Sequence, residues 1–250
     1  MTDPVTQIVY ETNARLGAAD RARLLSDRYE GAAAGDVLSA AIKREFPGRI
    51  GLVSSFGTEA VVLLHMVSRI DPFVPVIFLD TLKHFPETLG YRDRLSFELG
   101  LCNVQLIRPR RESLAAEDPD GTLSARKADL CCHVRKTVPM LHALRPLDCW
   151  ITGRKRHQAA TRATLGLFEA QDRWIKLNPL ADWTPKMVSD YVRKHDLPEH
   201  PLKAQGFASV GCAPCTRPVA AGEDARAGRW AESEKTECGI HFVDGKIVRG

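Results

Sequence analysis

The sequence predicts an α/β protein with a doubly wound, mainly parallel sheet. Short apolar runs that read as buried strands alternate along the chain with helical segments, at the spacing of βαβ units. Polar loops follow several of these runs directly, and ligands of such sheets bind beyond the carboxyl ends of the strands. With 250 residues, 44% hydrophobic and 26% charged, the chain has the size and composition of an ordinary globular protein.

The first half of the chain supplies two strands and their helices. Residues 5–46 carry apolar side chains at helical spacing and end at a Pro-Gly pair, which predicts a helical region. The run 49–55 (RIGLVSS) predicts the first strand, and the apolar run 60–70 predicts a helix after the loop SFGTE. The run 74–80 (VPVIFLD) predicts a second, buried strand.

The alternation continues into the second half. Residues 86–100 begin with Pro and end with Gly, which is typical of a helix. The run 103–109 (NVQLIRP) predicts a third strand, and the run 148–153 (DCWITG) predicts a fourth, after a helix that carries two adjacent cysteines. Beyond residue 184 one more helix (TPKMVSDYVRKH) precedes a tail rich in Pro and Gly.

Charge and hydropathy exclude several classes of function. The net charge of +4 is modest, whereas nucleic-acid binders carry a concentrated basic face, so we expect no nucleic-acid partner. No apolar run approaches the length of a membrane span, and the N-terminus shows no secretory signal. We therefore expect no membrane partner and a cytoplasmic location, where paired cysteines bind metal or do redox work more often than they form disulfides.

The loop after the first predicted strand is a candidate anion site. Hydroxyls and a permissive glycine stand there just before a helix N-terminus, an arrangement that suits phosphate or sulfate. The residues are Ser54, Ser55, Gly57 and Thr58. The loop matches neither GxxxxGK[ST] nor GxGxxG, so those nucleotide folds are not supported. The alternative is an ordinary helix capped by Ser and Thr.

A basic stretch after the fourth predicted strand is a second candidate anion site. It contains Gly153 and Arg154, with Arg162 beyond them, and it lies on the same side of the sheet as the first loop. Arginine presents forked donors that match phosphate geometry. A solvated charged loop is the alternative, but the position at a strand's carboxyl end favours anion binding.

Four of the seven cysteines form two tight pairs. Cys131 and Cys132 are adjacent, and Cys212 and Cys215 form a CxxC. An adjacent pair suits zinc poorly because neighbouring side chains diverge. An iron–sulfur cube instead offers a separate iron corner to each thiolate. The pattern therefore favours a [4Fe-4S] cluster over zinc.

The remaining cysteines fall into two kinds. Cys102 and Cys149 lie in or beside predicted strands, and we expect them to be buried packing residues. Cys238 stands alone near the C-terminus in the sequence ECGIH. Taken alone, it is a chance cysteine in a tail.

Six motifs in order give the chain a family resemblance from about residue 49 to residue 241: SSFGTE, LDT with FPET, CCHVRK, GCAPCTR, RxxRW and ECGIH. Together they resemble the adenylyl-sulfate reductase branch of the sulfonucleotide reductase family. The resemblance implies an adenine-nucleotide α-hydrolase-like fold, related to PP-loop proteins, with a mobile C-terminal tail. It also implies thioredoxin-dependent reduction of adenosine 5′-phosphosulfate to sulfite and AMP, through a cysteine S-sulfo intermediate, in sulfate assimilation towards cysteine.

The resemblance also assigns residues and segments. It makes the four paired cysteines the cluster ligands and Cys238 the nucleophile, and it directs four side chains at the substrate's sulfate and phosphate: Lys136, Arg226, Arg229 and His241. Asp80 is a further expected contact, although LDTLKH departs from the more frequent LDTG-type turn. We expect an N-terminal helical segment (1–45), an α/β sulfonucleotide-binding domain (46–200) and a C-terminal segment (201–250) with the CxxC and Cys238.

The residues support this chemistry independently. A thiolate is the natural attacker of an electrophilic sulfo group, and the step needs positive charge around the transferring group. Lys235 and His241 near Cys238 favour its thiolate. A second thiol must then release sulfite; no such cysteine lies close to Cys238 in sequence, so an external dithiol such as thioredoxin is implied.

Two-electron thiol chemistry does not need electron transfer by a cluster. We therefore expect its role to be structural and electrostatic, with Lys136 held in place just after Cys132. Three alternatives stay open: reduction of 3′-phosphoadenosine 5′-phosphosulfate, a PP-loop iron–sulfur tRNA-thiolating enzyme, and a cluster-bearing regulator without catalysis. The tRNA enzyme would need an SGGxDS loop and a strongly basic surface, and the regulator would not need Cys238.

Overall fold

A six-stranded sheet in the order β3-β2-β1-β4-β6-β5 lies at the centre of the protein. The computed structural model describes residues 16–220, 222–231, 240, 242–243 and 246–247. The strands of the sheet are β1 (Ile50–Val53), β2 (Val76–Leu79), β3 (Val104–Ile107), β4 (Cys149–Ile151), β5 (Phe168–Gln171) and β6 (Trp174–Leu177). All neighbours are parallel except β5 and β6, which are antiparallel. The predicted mainly parallel sheet is confirmed.

The helices are α1 (Ala18–Arg28), α2 (Ala34–Ala40), α3 (Ala60–Ile70), α4 (Pro86–Glu98), α5 (Arg111–Glu117), α6 (Leu123–Arg126), α7 (Ala128–Cys132), α8 (Val138–Ala143) and α9 (Pro185–Lys194). Of these, α1–α4 and α9 cover one face of the sheet and α8 covers the other. Two π-helical turns, Ala41–Glu45 and His133–Thr137, extend α2 and join α7 to α8. A small antiparallel pair, β7 (Phe242–Val243) and β8 (Lys246–Ile247), lies near the C-terminus. No helix in the described part of the chain is long and apolar enough to cross a membrane.

The N-terminal region predicted to be helical contains two helices in the part that the structure describes. Gly31, in a left-handed conformation (φ 72°), lies between them within residues 16–46. The Ser26 hydroxyl of α1 lies 3.3 Å from both the backbone N and the backbone O of Phe168, so α1 packs on the edge strand β5. Leu25 and Phe46 are buried in the same core as the sheet. The rest of the predicted helical region, residues 5–15, lies outside the described residues.

Alternating side chains of the strands fill two cores. In β2, Val76 and Phe78 belong to the larger core, under α1–α4 and α9, whereas Ile77 and Leu79 belong to the smaller core under α8. Trp150 of β4 points into the smaller core and its neighbours into the larger one. This alternation with period 2 explains why the strands read as continuous apolar runs, since both faces of the sheet are covered.

The strand order reverses at the centre of the sheet. After β1 the chain proceeds outward to β2 and β3 on one side, then returns to place β4 and β6 on the other side. The loops that leave β1 and β4 therefore lie side by side at the carboxyl ends of the two central strands, where Lys155 Nζ of one loop lies 2.8 Å from Glu59 Oε2 of the other. Doubly wound sheets bind ligands at such a switch point.

Candidate active site

A cleft of about 380 Å³ opens at the carboxyl ends of β1 and β4. Its sheet wall is formed by residues of the loops 54–59 and 152–162, and its cysteine wall by Lys136, Gly211, Arg226, Arg229 and Trp230. Most of the residues predicted to contact a substrate lie in this lining: Ser54, Ser55, Gly57, Thr58, Lys136, Gly153, Arg154, Arg162, Arg226 and Arg229. Sequence motifs that are far apart in the chain thus meet at one site.

Two residues that were predicted to contact the substrate, Asp80 and His241, are not among the described residues that line the cleft. Asp80 is buried outside the cleft lining formed by the described residues, and its carboxylate accepts hydrogen bonds from Arg108 Nε at 2.8 Å and Leu82 N at 3.1 Å. Burial would raise its pKa, but these bonds hold it below the ordinary value. Leu82 has a φ of 61°, which explains why a glycine suits this turn better. His241, like the predicted nucleophile Cys238, lies outside the described residues.

The loop after β1 is shaped by close backbone contacts. Ser54 is buried, and its hydroxyl accepts a hydrogen bond from Phe56 N at 3.2 Å. The Thr58 hydroxyl donates to the carbonyl of Ala208 at 2.9 Å, which brings the C-terminal segment over the loop. A Cβ on Gly57 would lie 3.2 Å from the backbone O of Val210, so this glycine permits a close approach of two chain segments.

The sheet wall pairs its positive charges with carboxylates of its own. Lys155 is 1% exposed, and its Nζ lies 2.8 Å from Glu59 Oε2 and 3.2 Å from the carbonyl of Gly153. Burial would raise the pKa of Glu59, but the nearby Lys155 ammonium outweighs this effect and holds that pKa below its ordinary value. Arg154 donates to Glu169 and to Asn178. Neither Lys155 nor Glu59 was among the substrate contacts predicted from the sequence, because their pairing joins two loops that are far apart in the chain.

Arg162 extends this network along the sheet wall. It is 7% exposed and donates to Gln158 Oε1, which also accepts from the backbone N of Lys155 at 3.0 Å. The Gln158 amide nitrogen donates to Glu59 at 2.9 Å. The polar groups of this wall are therefore fixed by one another before any ligand arrives.

Arg229 dominates the cysteine wall. Its Nε is buried and has no hydrogen-bond partner among the described residues. The guanidinium carbon lies 4.5 Å from the centroid of the Trp230 ring, a cation–π distance. Trp230 N donates to the carbonyl of Cys215 at 3.0 Å, so the RxxRW motif is fastened to the CxxC loop. Arg229 also forms no ion pair with a described residue, and a cation without a counterion beside a cleft is the property expected of an anion site.

The four paired cysteines meet at a second, much smaller cavity behind this wall. Cys131, Cys132, Cys212 and Cys215 all line it, and so does Lys136, which also lines the cleft. The first three are buried and Cys215 is partly exposed, and none of the six described cysteines takes part in a disulfide. Burial raises the pKa of the Cys131 thiol, while Arg135 acts in the opposite direction.

Buried polar contacts hold the two cysteine segments together. The Thr81 hydroxyl lies 3.2 Å from Cys212 Sγ, and Ala213 N donates to the carbonyl of Lys83 at 2.7 Å. Arg135 donates to the carbonyl of Thr81 at 2.8 Å and pairs with Asp118, whose side chain has no exposed surface. The loop after β2 therefore fixes both the helix with Cys131–Cys132 and the CxxC.

The donor set around this cavity is of the kind that the [4Fe-4S] cluster expected from the sequence would take. Within the described residues, no three His, Cys, Asp or Glu side chains converge closely enough to hold one ion. A [4Fe-4S] cluster does not require such convergence, because each thiolate binds its own iron corner. Four cysteines around one cavity supply the ligand number and type that such a cluster takes.

The two cysteines predicted to be packing residues have different outcomes. Cys149 is fully buried in β4, as predicted, and burial raises its pKa well above the ordinary value. The prediction for Cys102 was wrong, because this residue is exposed. It lies in the turn between α4 and β3, where its Sγ is 3.3 Å from the carbonyl of Gly100, rather than in the strand.

Comparisons with known proteins agree with this geometry. Residues 49–218 match the family described as phosphoadenosine phosphosulfate reductase domain. A relative named adenosine 5′-phosphosulfate reductase, from Mesorhizobium japonicum, is 52% identical over 83% of this chain and 82% of its own length. A relative named phosphoadenosine 5′-phosphosulfate reductase, from Gloeobacter violaceus, is 40% identical over 87% and 92%.

The solved structures support the same fold. The phosphoadenylyl-sulfate reductase of Candida auris superposes with a TM-score of 0.68 at 24% identity, over 79% of this chain and 97% of that one. At this identity the likeness establishes the fold alone. The fold expected from the motifs is thereby confirmed.

Proposed function

Because the chain belongs to the phosphoadenosine phosphosulfate reductase domain family, we propose that it reduces adenosine 5′-phosphosulfate to sulfite and AMP in sulfate assimilation. One observation carries the proposal further than family membership does. Lys136 lines both the cleft and the cysteine cavity, so the cation that would face a sulfonucleotide and the cysteines belong to one site.

The cleft fits the two ends of a sulfonucleotide. The cysteine wall supplies Lys136, Arg226 and Arg229, whose positive charge suits the phosphosulfate. The sheet wall, where Lys155 and Arg154 are already paired with carboxylates, offers apolar surface from Leu52, Leu63 and Leu79. We therefore place the sulfo group at the cysteine wall and the nucleoside along the sheet wall.

The reaction proceeds in two steps, transfer of the sulfo group to Cys238 and release of sulfite from it. The Cys238 thiolate attacks the sulfo sulfur; the new S–S bond forms as the S–O bond to phosphate breaks, and AMP leaves with that electron pair. An external dithiol of the thioredoxin type then attacks the Cys238 sulfur and releases sulfite. Its second thiol closes the disulfide and regenerates Cys238, so the two electrons come from the dithiol.

The paired cysteines would hold a [4Fe-4S] cluster. When bound, the cluster contributes a fixed charge and a rigid anchor near Lys136. The chain's own part is to position that lysine four residues after Cys132, and Arg229 beside the CxxC loop. A cytoplasmic location would keep these thiols reduced and supply the external dithiol.

Mass spectrometry after incubation with adenosine 5′-phosphosulfate and no reductant tests the proposal. We expect one sulfo adduct on Cys238, and release of sulfite when thioredoxin is added. Cys238→Ser should lose the adduct and turnover, at least about 10³-fold, while its iron and sulfide content stays that of the wild type. Adduct formation on another residue, or full turnover by Cys238→Ser, would contradict the mechanism.

A second substrate deserves a direct comparison because the relatives carry two names. The Gloeobacter relative is named for the 3′-phosphorylated nucleotide. Sulfite release should be measured with both nucleotides under identical conditions. Faster release from 3′-phosphoadenosine 5′-phosphosulfate would reassign the substrate and leave the chemistry at Cys238 unchanged.

A further inference from the structure

Gly211 lies where the Arg229 side chain meets the segment that carries the CxxC. It directly precedes Cys212 and lines the cleft. A Cβ built on Gly211 would lie 2.5 Å from Cζ and 2.6 Å from Nη1 of Arg229, and nearer still to Nη2. The guanidinium therefore occupies the space that any other residue at position 211 would fill.

The backbone itself does not require glycine at this position. Gly211 is absent from the glycines with positive φ, so an alanine can adopt its conformation without strain. The atoms that a new methyl group would meet belong to the far end of a flexible side chain. An alanine would consequently displace the Arg229 guanidinium rather than the chain around Cys212.

Backbone contacts fix the position of Arg229 relative to the segment that carries Gly211 and the CxxC. Thr216 pairs with Arg229 in an isolated bridge, and Arg217 N donates to the carbonyl of Gly228 at 2.9 Å. These bonds fix the backbone of Arg229 against the segment that follows the CxxC. Displacement by a methyl group at position 211 must then be taken up by the Arg229 side chain.

We propose that Gly211 is a positioning residue, whose missing side chain seats the Arg229 guanidinium beside the CxxC and directs it into the cleft. The proposal rests on the proposed function, because Arg229 is taken to bind the sulfonucleotide anion. Gly211 itself touches no reacting atom. It acts through the place it leaves for Arg229.

A double-mutant cycle tests whether Gly211 positions the Arg229 guanidinium. Binding of adenosine 5′-phosphosulfate is measured by calorimetry in a Cys238→Ser background, so that no turnover occurs. We expect Gly211→Ala to raise Kd about ten- to a hundredfold, as Arg229→Ala does, because a hydrogen-bonding charged donor is lost. Gly211→Ala should add less than about twofold once Arg229 is already alanine, because the two changes remove the same interaction.

Two controls distinguish positioning of Arg229 from structural support of the cysteine cavity. Gly90→Ala, on the exposed face of α4 with no atom within 4 Å of the new Cβ, should leave Kd unchanged. Gly211→Ala should keep wild-type iron content and visible absorbance. Loss of the cluster in Gly211→Ala, or additive effects in the double variant, would overturn the proposal.

The Cys238→Ser protein without a further substitution distinguishes this proposal from the proposed function. If that protein binds neither sulfonucleotide, the proposed function fails, and the role of Gly211 is then tested by a crystal structure of Gly211→Ala. A guanidinium displaced from its place beside residue 211 would support the seat. An unmoved guanidinium would refute it.

Discussion

The two walls of the cleft use positive charge in opposite ways. On the sheet wall, Lys155 and Arg154 are each paired with a carboxylate, Glu59 and Glu169. On the cysteine wall, Arg229 lies against Gly211 and the Trp230 ring and forms no ion pair with a described residue. The difference between the walls is therefore one of counterions, which Lys155 and Arg154 have within the protein and Arg229 gains only when an anion binds.

This difference explains how one cleft can orient a molecule with a charged end and a neutral end. A paired charge stabilises its own wall and attracts an incoming anion weakly. A partly buried cation without a counterion is costly in the empty protein and recovers that cost when an anion binds. Substitutions on the sheet wall should therefore mainly change the free energy of unfolding, and substitutions on the cysteine wall should mainly change the affinity for the sulfonucleotide.

The largest effect on stability is expected behind the cysteine wall, at the buried pair of Asp118 and Arg135. Asp118→Asn leaves the Arg135 charge buried without its counterion, which should lower the free energy of unfolding by about 3–5 kcal/mol. Urea unfolding measures this change. Lys186→Ala, which breaks an exposed pair with Asp190, is the control and should leave the midpoint unchanged. A similar small change in both variants would show that the buried pair does not fix the cysteine segments.

An intermediate effect is expected where the C-terminal segment leaves the sheet, at His200. Burial lowers the pKa of His200 to about 4, although Glu87 acts in the opposite direction. As the pH falls from the ordinary value of 6.5 towards 4, the unfolded chain takes up a proton that the folded protein refuses. The folded state should thus lose up to about 3 kcal/mol across this window.

The matched variant for this prediction is His200→Asn, because an amide oxygen can still accept from Leu202 N, as His200 Nδ1 does at 3.2 Å. Unfolding free energies of both proteins should be measured from pH 7 to pH 4. The advantage of the wild type should shrink as the pH falls. A constant difference would mean that His200 titrates normally.

The smallest effect is expected on the sheet wall, with Lys155→Met. It leaves the partly exposed Glu59 without its ion pair and should cost about 1–2 kcal/mol of stability at neutral pH. Because the wild-type pKa of Glu59 is lowered, its contribution is present above the ordinary value of 4.5 and is lost as the pH falls through the folded pKa. The variant should lack this part of the acid dependence. A loss of sulfonucleotide affinity as large as that of Arg229→Ala would break the contrast between the walls.

Much of this architecture could be predicted from the sequence because buried parallel strands read as apolar runs. The hairpin of β5 and β6 was missed because its strands contain buried polar residues. Lys176 is 5% exposed and donates to Gln171 Oε1 at 2.8 Å, so the two satisfy each other inside the sheet. The connection also lacks a glycine, since Asp172 supplies the left-handed conformation (φ 51°). Neither the contact of Lys176 with Gln171 nor the conformation of Asp172 can be recognised in the sequence before the two strands are known to pair.

The site was predicted where a motif carries its own chemistry and missed where chemistry arises from packing. The anion loop, the paired cysteines and the RxxRW motif are local patterns. The pairing of Lys155 with Glu59, and the seat of Arg229 on Gly211, join residues far apart in the chain. Such contacts follow from the strand order, which a single sequence does not report.

The cavity between the two cysteine pairs also bears on the topology of the chain. Cys132 and Cys212 are about 80 residues apart, and a cluster bound by both pairs would cross-link the chain across that loop. By loop-closure entropy, a covalent link of this span disfavours the unfolded chain by about 4.5 kcal/mol. A cluster bound there would thus act on folding as well as on charge, because it would keep β4, β5 and β6 inside a closed ring even when the chain unfolds.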